Sequence, residues 1–141
     1  MNRIFFLIVL LISGCASGPY GSFIKDERSY SPIVSDVLQE LDSKYPPAKT
    51  NFFMLHKVKD PFGTLFISEM RSKGYAIQEY EEGVELSGIS FGYVLDTVEG
   101  FYRITLFING ERLSRPYTNE SNTVLPSGSW SLSMVFNNER E

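Results

Sequence analysis

Apolar and polar positions divide the chain into a leading apolar run, two stretches of helical period and a longer tract of alternating period. After Ser31-Pro32, the residues Ile33, Val34, Val37, Leu38 and Leu41 form a stripe, with Asp36, Gln39, Glu40 and Asp42 outside it, the pattern of a helix packed on one face. Ser31 supplies an N-cap hydroxyl, Pro32 stands where a missing N–H costs nothing, and Asp36 suits the dipole of the first turn. Tyr45-Pro46-Pro47 ends the pattern, because a residue before proline is steered out of helical geometry. The helix is placed at 32–44. Residues 50–58, with Phe52, Phe53, Met54 and Leu55, read as a strand with both faces partly covered. Asp60-Pro61 repeats the cap-plus-proline signature, and Phe62, Leu65, Phe66 and Met70 predict a second helix. Lys73-Gly74 ends that helix, with Tyr75 placed to close the cap by an apolar contact.

Beyond Gly74 the period becomes that of strands. Residues 75–80 form one predicted strand, and 84–86 extend it or begin the next. Ile89, Phe91, Tyr93 and Leu95 share a face, as do Tyr102, Ile104, Leu106 and Ile108. Asn109-Gly110 then signals a type I′ hairpin, since both residues tolerate positive φ, with the return strand at 111–117. Pro126-Ser127-Gly128 marks a last turn, after which Trp130, Leu132, Met134 and Phe136 alternate with Ser131 and Ser133. Helices on one face of such a sheet give a small single α+β domain: two helices on a mostly antiparallel sheet of about five strands.

The apolar run Ile4 to Ile12, preceded by Arg3, is about 14 Å of helix, roughly half a ~30 Å hydrocarbon core. It has the layout of a secretory signal. Ile12-Ser13-Gly14-Cys15, followed by uncharged Ala16, Ser17 and Gly18, resembles the lipobox of bacterial lipoproteins. That resemblance implies diacylglycerol on the Cys15 thiol, removal of 1–14 and acylation of the freed amine. Cys15 is the single cysteine, so it has no intramolecular disulfide partner. Several acyl chains anchor stably where one does not. Ala16 is not the aspartate associated with inner-membrane retention, so the expected location is the outer membrane, lipid-anchored, with the folded domain in the periplasm. The expected organisation is a signal at 1–14, a flexible lipidated tether at 15–30, a domain at 31–136 and a polar tail at 137–141.

The formal net charge is −4, and loss of Arg3 makes it more negative. Without a Lys/Arg cluster, direct nucleic-acid binding is not expected. His56, the one histidine, has neither a cysteine partner nor an HExxH arrangement and reads as structural or surface. Glu79, Glu81, Glu82 and Glu85 surround Gly83 at an expected hairpin tip, where solvated charge is the ordinary outcome. No catalytic, cofactor or metal site emerges, and the phosphate-binding glycine motifs are missing from the sequence. The aromatic surplus is more informative. Tyrosine hydroxyls need partners, so Tyr80, Tyr93, Tyr102 and Tyr117 belong at the rim of the core or of an interface. Arg103, Arg112 and Arg115 are solvated strand charges or interface anchors. The candidate interface set is Tyr93, Tyr102, Arg103, Arg112, Arg115 and Tyr117, and an exposed sheet edge could accept a partner strand.

The ordered blocks Leu41-Asp42-Ser43-Lys44-Tyr45-Pro46-Pro47-Ala48-Lys49-Thr50, Asp60-Pro61-Phe62-Gly63 and Arg71-Ser72-Lys73-Gly74-Tyr75-Ala76-Ile77 resemble the conjugal transfer lipoprotein family TrbH. Tyr93-Val94-Leu95-Asp96, Tyr102-Arg103-Ile104-Thr105-Leu106, Leu113-Ser114-Arg115-Pro116-Tyr117 and Pro126-Ser127-Gly128-Ser129-Trp130 follow in that family's order. Pro116 departs from it, since family members commonly continue with a small residue there. The resemblance implies a non-catalytic outer-membrane lipoprotein supporting a conjugative type IV secretion core complex. Its implied partners are the membrane, through lipid on Cys15, secretion core-complex proteins and further copies of itself. The alternative is an envelope binding module for peptidoglycan contact, surface exclusion or enzyme inhibition.

Overall fold

A computed structural model describes residues 20–134. Cys15, the signal and the tail at 137–141 lie outside the described residues. The elements in chain order are β1 (Gly21–Ser22), α1 (Tyr30–Lys44), β2 (Asn51–Met54), α2 (Pro61–Ser72), β3 (Ala76–Gln78), β4 (Ile89–Val98), β5 (Phe101–Ile108), β6 (Glu111–Glu120), β7 (Thr123–Pro126) and β8 (Ser131–Met134). The sheet has eight strands rather than about five, in the order β3-β2-β4-β5-β6-β7; β1 also pairs with β4, and β8 with β6. The extra strands are short pieces on the flanks of long ones, which alternation alone does not reveal.

The two helices expected from the stripes are present. Asp60 caps α2 by accepting the Gly63 amide at 2.7 Å. Gly74 has φ +100°, and the Tyr75 amide reaches back to the Met70 carbonyl at 3.1 Å, closing the helix with Tyr75 buried. The start of α1 differs from expectation. Ser31 is not its cap; the helix begins at Tyr30, behind a 3₁₀ turn at Glu27–Ser29 whose Arg28 amide is capped by Asp26 at 3.3 Å. That turn is fixed because Ser29 donates to the Asp26 carbonyl and Tyr30 donates to the Ile24 carbonyl.

Residues 20–30, expected as part of a flexible tether, therefore belong to the domain. β1 runs parallel to β4, the Phe23 amide donates to the Leu95 carbonyl at 2.8 Å, and Ile24, Ser29 and Tyr30 are buried. β2 is shorter than the predicted 50–58, and residues 55–59 form the loop into α2. β3, β2 and β4 are mutually parallel. The Glu79–Glu85 segment is consequently no hairpin tip: it lies in the return from the end of β3, past β2, to the start of β4.

From β4 onward the pairing is antiparallel. Asn109 and Gly110 have φ +51° and +78°, as a type I′ turn requires. Glu99-Gly100 and Ser121-Asn122 also have positive φ and make two further tight hairpins. At Pro126-Ser127-Gly128 the chain does not reverse. β7 and β8 both run antiparallel to β6, and residues 127–130 bulge opposite Arg115 and Pro116. Pro116 lacks the N–H a continuous ladder needs, but its carbonyl accepts the Ser127 amide at 3.0 Å, so the bulge accommodates it. The core lies between the helices and one sheet face, where Phe91, Tyr93 and Leu95 of β4 adjoin Ile104, Leu106 and Ile108 of β5.

Candidate functional site

The six candidate interface residues do not converge on one surface. Tyr93 and Tyr117 are 0% and 1% exposed, so their assignment to an interface is corrected: both face the helices, because their positions alternate with the outward ones. Tyr93 donates to Asp60 Oδ2 at 2.7 Å and Tyr117 to Asp36 Oδ2 at 2.6 Å. Burial first, and the adjacent carboxylate second, push both phenols well above their ordinary range.

Arg115 lies on the same side as Tyr117. Its Nη1 donates to both Asp36 oxygens at 3.0 Å, its Nε donates to the Gly128 carbonyl at 2.9 Å, and its guanidinium lies 5.7 Å from the Trp130 ring centre. Tyr102 donates to Asp26 at 3.3 Å and accepts from Asn119 at 2.8 Å. Arg103 forks onto Asp96 at 3.0 and 2.7 Å, a bond that raises its guanidinium pKa. Arg112 lies over Phe107 at 5.3 Å and is the exposed member of the set. The sequence reading missed the acceptors: Asp26, Asp36 and Asp60 fasten the first turn, α1 and α2 to the sheet. Asp36 and Asp60 were legible only as helix-start residues, since their partners are remote in sequence.

A second arrangement gathers residues that nothing in the sequence grouped together. A cleft of about 820 Å³ lies beside α2, where the loop after β2 and the chain after β3 part. Met54, Val58 and Ile67 supply apolar lining, Thr64 and Ser68 hydroxyls, and Lys57, Lys59 and Arg71 positive charge. Arg71 Nη2 donates to the Ile77 carbonyl at 3.2 Å and to Glu79 at 3.4 Å. Glu79 and Tyr80 close the side toward β3.

His56 also lines this cleft. Its ring stacks on Tyr20 at 4.9 Å and meets Tyr93 edge-on at 4.9 Å. Nδ1 lies 3.0 Å from the Lys57 carbonyl and so carries the hydrogen there. Nε2 is buried and has no partner among the described residues. Burial, opposed by the Lys57 carbonyl and the Asp60 charge, lowers the imidazole pKa. Among the described residues, no group of three His, Cys, Asp or Glu side chains is placed to hold a metal ion.

A family model described as conjugal transfer protein TrbH matches residues 17–134. No curated protein and no solved structure matches the chain.

Proposed function

The chain belongs to the TrbH family of conjugal transfer proteins, and from that premise we propose that it is a non-catalytic support of a conjugative type IV secretion core complex, held at the outer membrane by lipid on Cys15. The observation that carries this reading is the use made of the buried polar groups. Tyr93 with Asp60, and Tyr117 and Arg115 with Asp36, tie helices to sheet rather than gathering around a reaction centre. Such ties suit a body that must keep its shape under load.

The anchor rests on Ile12-Ser13-Gly14-Cys15 and the short apolar run before it. No helix among the described residues is long and apolar enough to cross a membrane. From Cys15 to Tyr20 the chain reaches at most ~18 Å even when fully extended. A lipid on Cys15 would thus hold the domain close to the bilayer and raise the local concentration of modest contacts.

The test compares wild type with Cys15→Ser in cells carrying the whole transfer system. Expected results are loss of palmitate incorporation, loss from the outer-membrane fraction and weaker co-purification with the core proteins, with an unchanged circular dichroism spectrum. Unlabelled wild type would remove the anchor. Wild type that leaves gentle detergent extracts as a lone monomer, with transfer unaffected by its deletion, would remove the supporting role.

A further inference from the structure

We infer that the cleft beside α2 is a docking site for an extended peptide segment of a partner protein in which acidic and apolar residues alternate. Its position follows from topology. β2 and β3 are parallel neighbours, and the chain leaves their carboxyl ends along different paths, one into α2 and the other back past β2 to β4. Crevices at the carboxyl ends of parallel strands, where connections part, are the usual ligand sites of open α/β sheets.

The lining sets the chemistry. Lys57 and Lys59 form no ion pair among the described residues. Arg71 is paired with Glu79 at 3.4 Å, but their side chains are 46% and 77% exposed, so water screens the pair and an incoming carboxylate can replace it. Lys57, Lys59 and Arg71 put positive charge on the side formed by the loop after β2 and by α2, while Glu79 and the glutamates that continue from it lie on the opposite side. Val58 offers apolar contact above the buried Met54 and Ile67, and Ser68 offers a hydroxyl, that of Thr64 already donating to the Asp60 carbonyl at 3.1 Å. Carboxylates spaced by apolar side chains match that alternation.

Size and surroundings separate a peptide from other anions. From Thr64 to Ser72 the cleft follows about 12 Å of helix, the length of roughly four extended residues. Glu81, Glu82 and Glu85 continue the exposed segment that begins at Glu79. Their charge opposes a long polyanion and restricts the site to a short acidic segment held against the Lys57, Lys59 and Arg71 side.

The experiment uses the full chain in detergent micelles and a fluorescein-labelled octapeptide alternating glutamate with valine. Fluorescence anisotropy should show saturable binding roughly tenfold tighter than that of the glutamine counterpart. Lys57→Gln with Lys59→Gln should weaken binding by roughly tenfold. Ser68→Trp, which fills the cleft from an exposed helix position, should abolish it, whereas Arg112→Gln should leave it unchanged. Equal binding of the two peptides, no response to the lysine changes, or tighter binding of an oligodeoxynucleotide of equal charge would overturn the inference. The measurement is indifferent to lipid on Cys15, so its failure would leave the anchoring proposal standing.

Discussion

The Tyr93 hydroxyl donates to Asp60 Oδ2 at 2.7 Å, while Asp60 Oδ1 accepts the Gly63 amide at 2.7 Å. One carboxylate thus caps α2 and fastens it to β4. The arrangement needs a glycine at 63, because a Cβ there would collide with the Tyr93 hydroxyl and lie 2.6 Å from Val58 Cγ1. Gly63→Ala should therefore destabilise the domain, although alanine gains about 1 kcal/mol of helix preference. Overpacking costs about 1–3 kcal/mol, and loss of a hydrogen bond to a charged group about 1.5–3 kcal/mol. A net loss of about 2–4 kcal/mol in urea unfolding is expected. Tyr93→Phe added to Gly63→Ala should recover only part of it, since Tyr93 Cζ would still lie 2.7 Å from the new carbon.

Asp36 plays the corresponding part for α1. It accepts from Tyr117, which is almost wholly buried, and from Arg115, with Asp36 and Arg115 side chains 18% and 22% exposed. Asp36→Ala strands a buried hydroxyl and leaves a largely covered guanidinium short of its counter-charge. The expected cost is about 2–4 kcal/mol, with Asp36→Asn losing less because it keeps an acceptor. In a double-mutant cycle with Arg115→Met, denaturant unfolding should give a coupling of about 1 kcal/mol or more. Simple additivity would show that the contact does not hold α1 to β6.

These two ties show what local sequence conveys and what it does not. Asp60-Pro61, Lys73-Gly74 and Asn109-Gly110 announce themselves because cap and turn chemistry is completed within a few residues. Ser121-Asn122 turns just as tightly, but although asparagine accepts positive φ, serine seldom does and no glycine follows the pair, so the extension of β6 beyond Tyr117 was not legible. The parallel return from β3 to β4 is equally hidden, since a strand's alternation says nothing about its neighbours. Tyr93 and Tyr117 carried a visible demand for hydroxyl partners. Whether core or partner protein met it depended on Asp60 and Asp36, 33 and 81 residues away. Lys57, Lys59 and Arg71 resemble ordinary surface charges until folding gathers them at one cleft.

His56 gives the domain a sign-definite pH response. Its folded pKa is lowered from 6.5 by burial, so the unfolded chain binds the proton more readily than the folded one. The stability this group contributes is complete above the unfolded value and declines as pH falls through it toward the folded pKa. Thermal melts should therefore show Tm falling between about pH 7 and pH 5. His56→Gln should flatten that slope relative to wild type. An unchanged slope would assign the acid response to other groups.

The opening segment yields a prediction that distinguishes a tether from a structural strand. A chain beginning at Ser31 lacks β1 and the buried Ile24, Ser29 and Tyr30, whose ring meets Phe62 at 5.4 Å. Burial of Ile24 and Tyr30 alone is worth roughly 3–6 kcal/mol, a large part of the ~5–15 kcal/mol that holds a small domain together. That chain should melt far below wild type or fail to fold. One beginning at Tyr20 keeps β1 and these buried groups, and should match the full chain in circular dichroism melts. Equal melting of all three would return residues 20–30 to the role of a passive tether. If the Ser31 chain unfolds as expected, any load on Cys15 enters the domain through β1, whose hydrogen bonds run to β4 at the centre of the sheet. Under the proposed anchoring, tension would fall on a central strand, whose Phe91, Tyr93 and Leu95 are fully buried, rather than on a sheet edge.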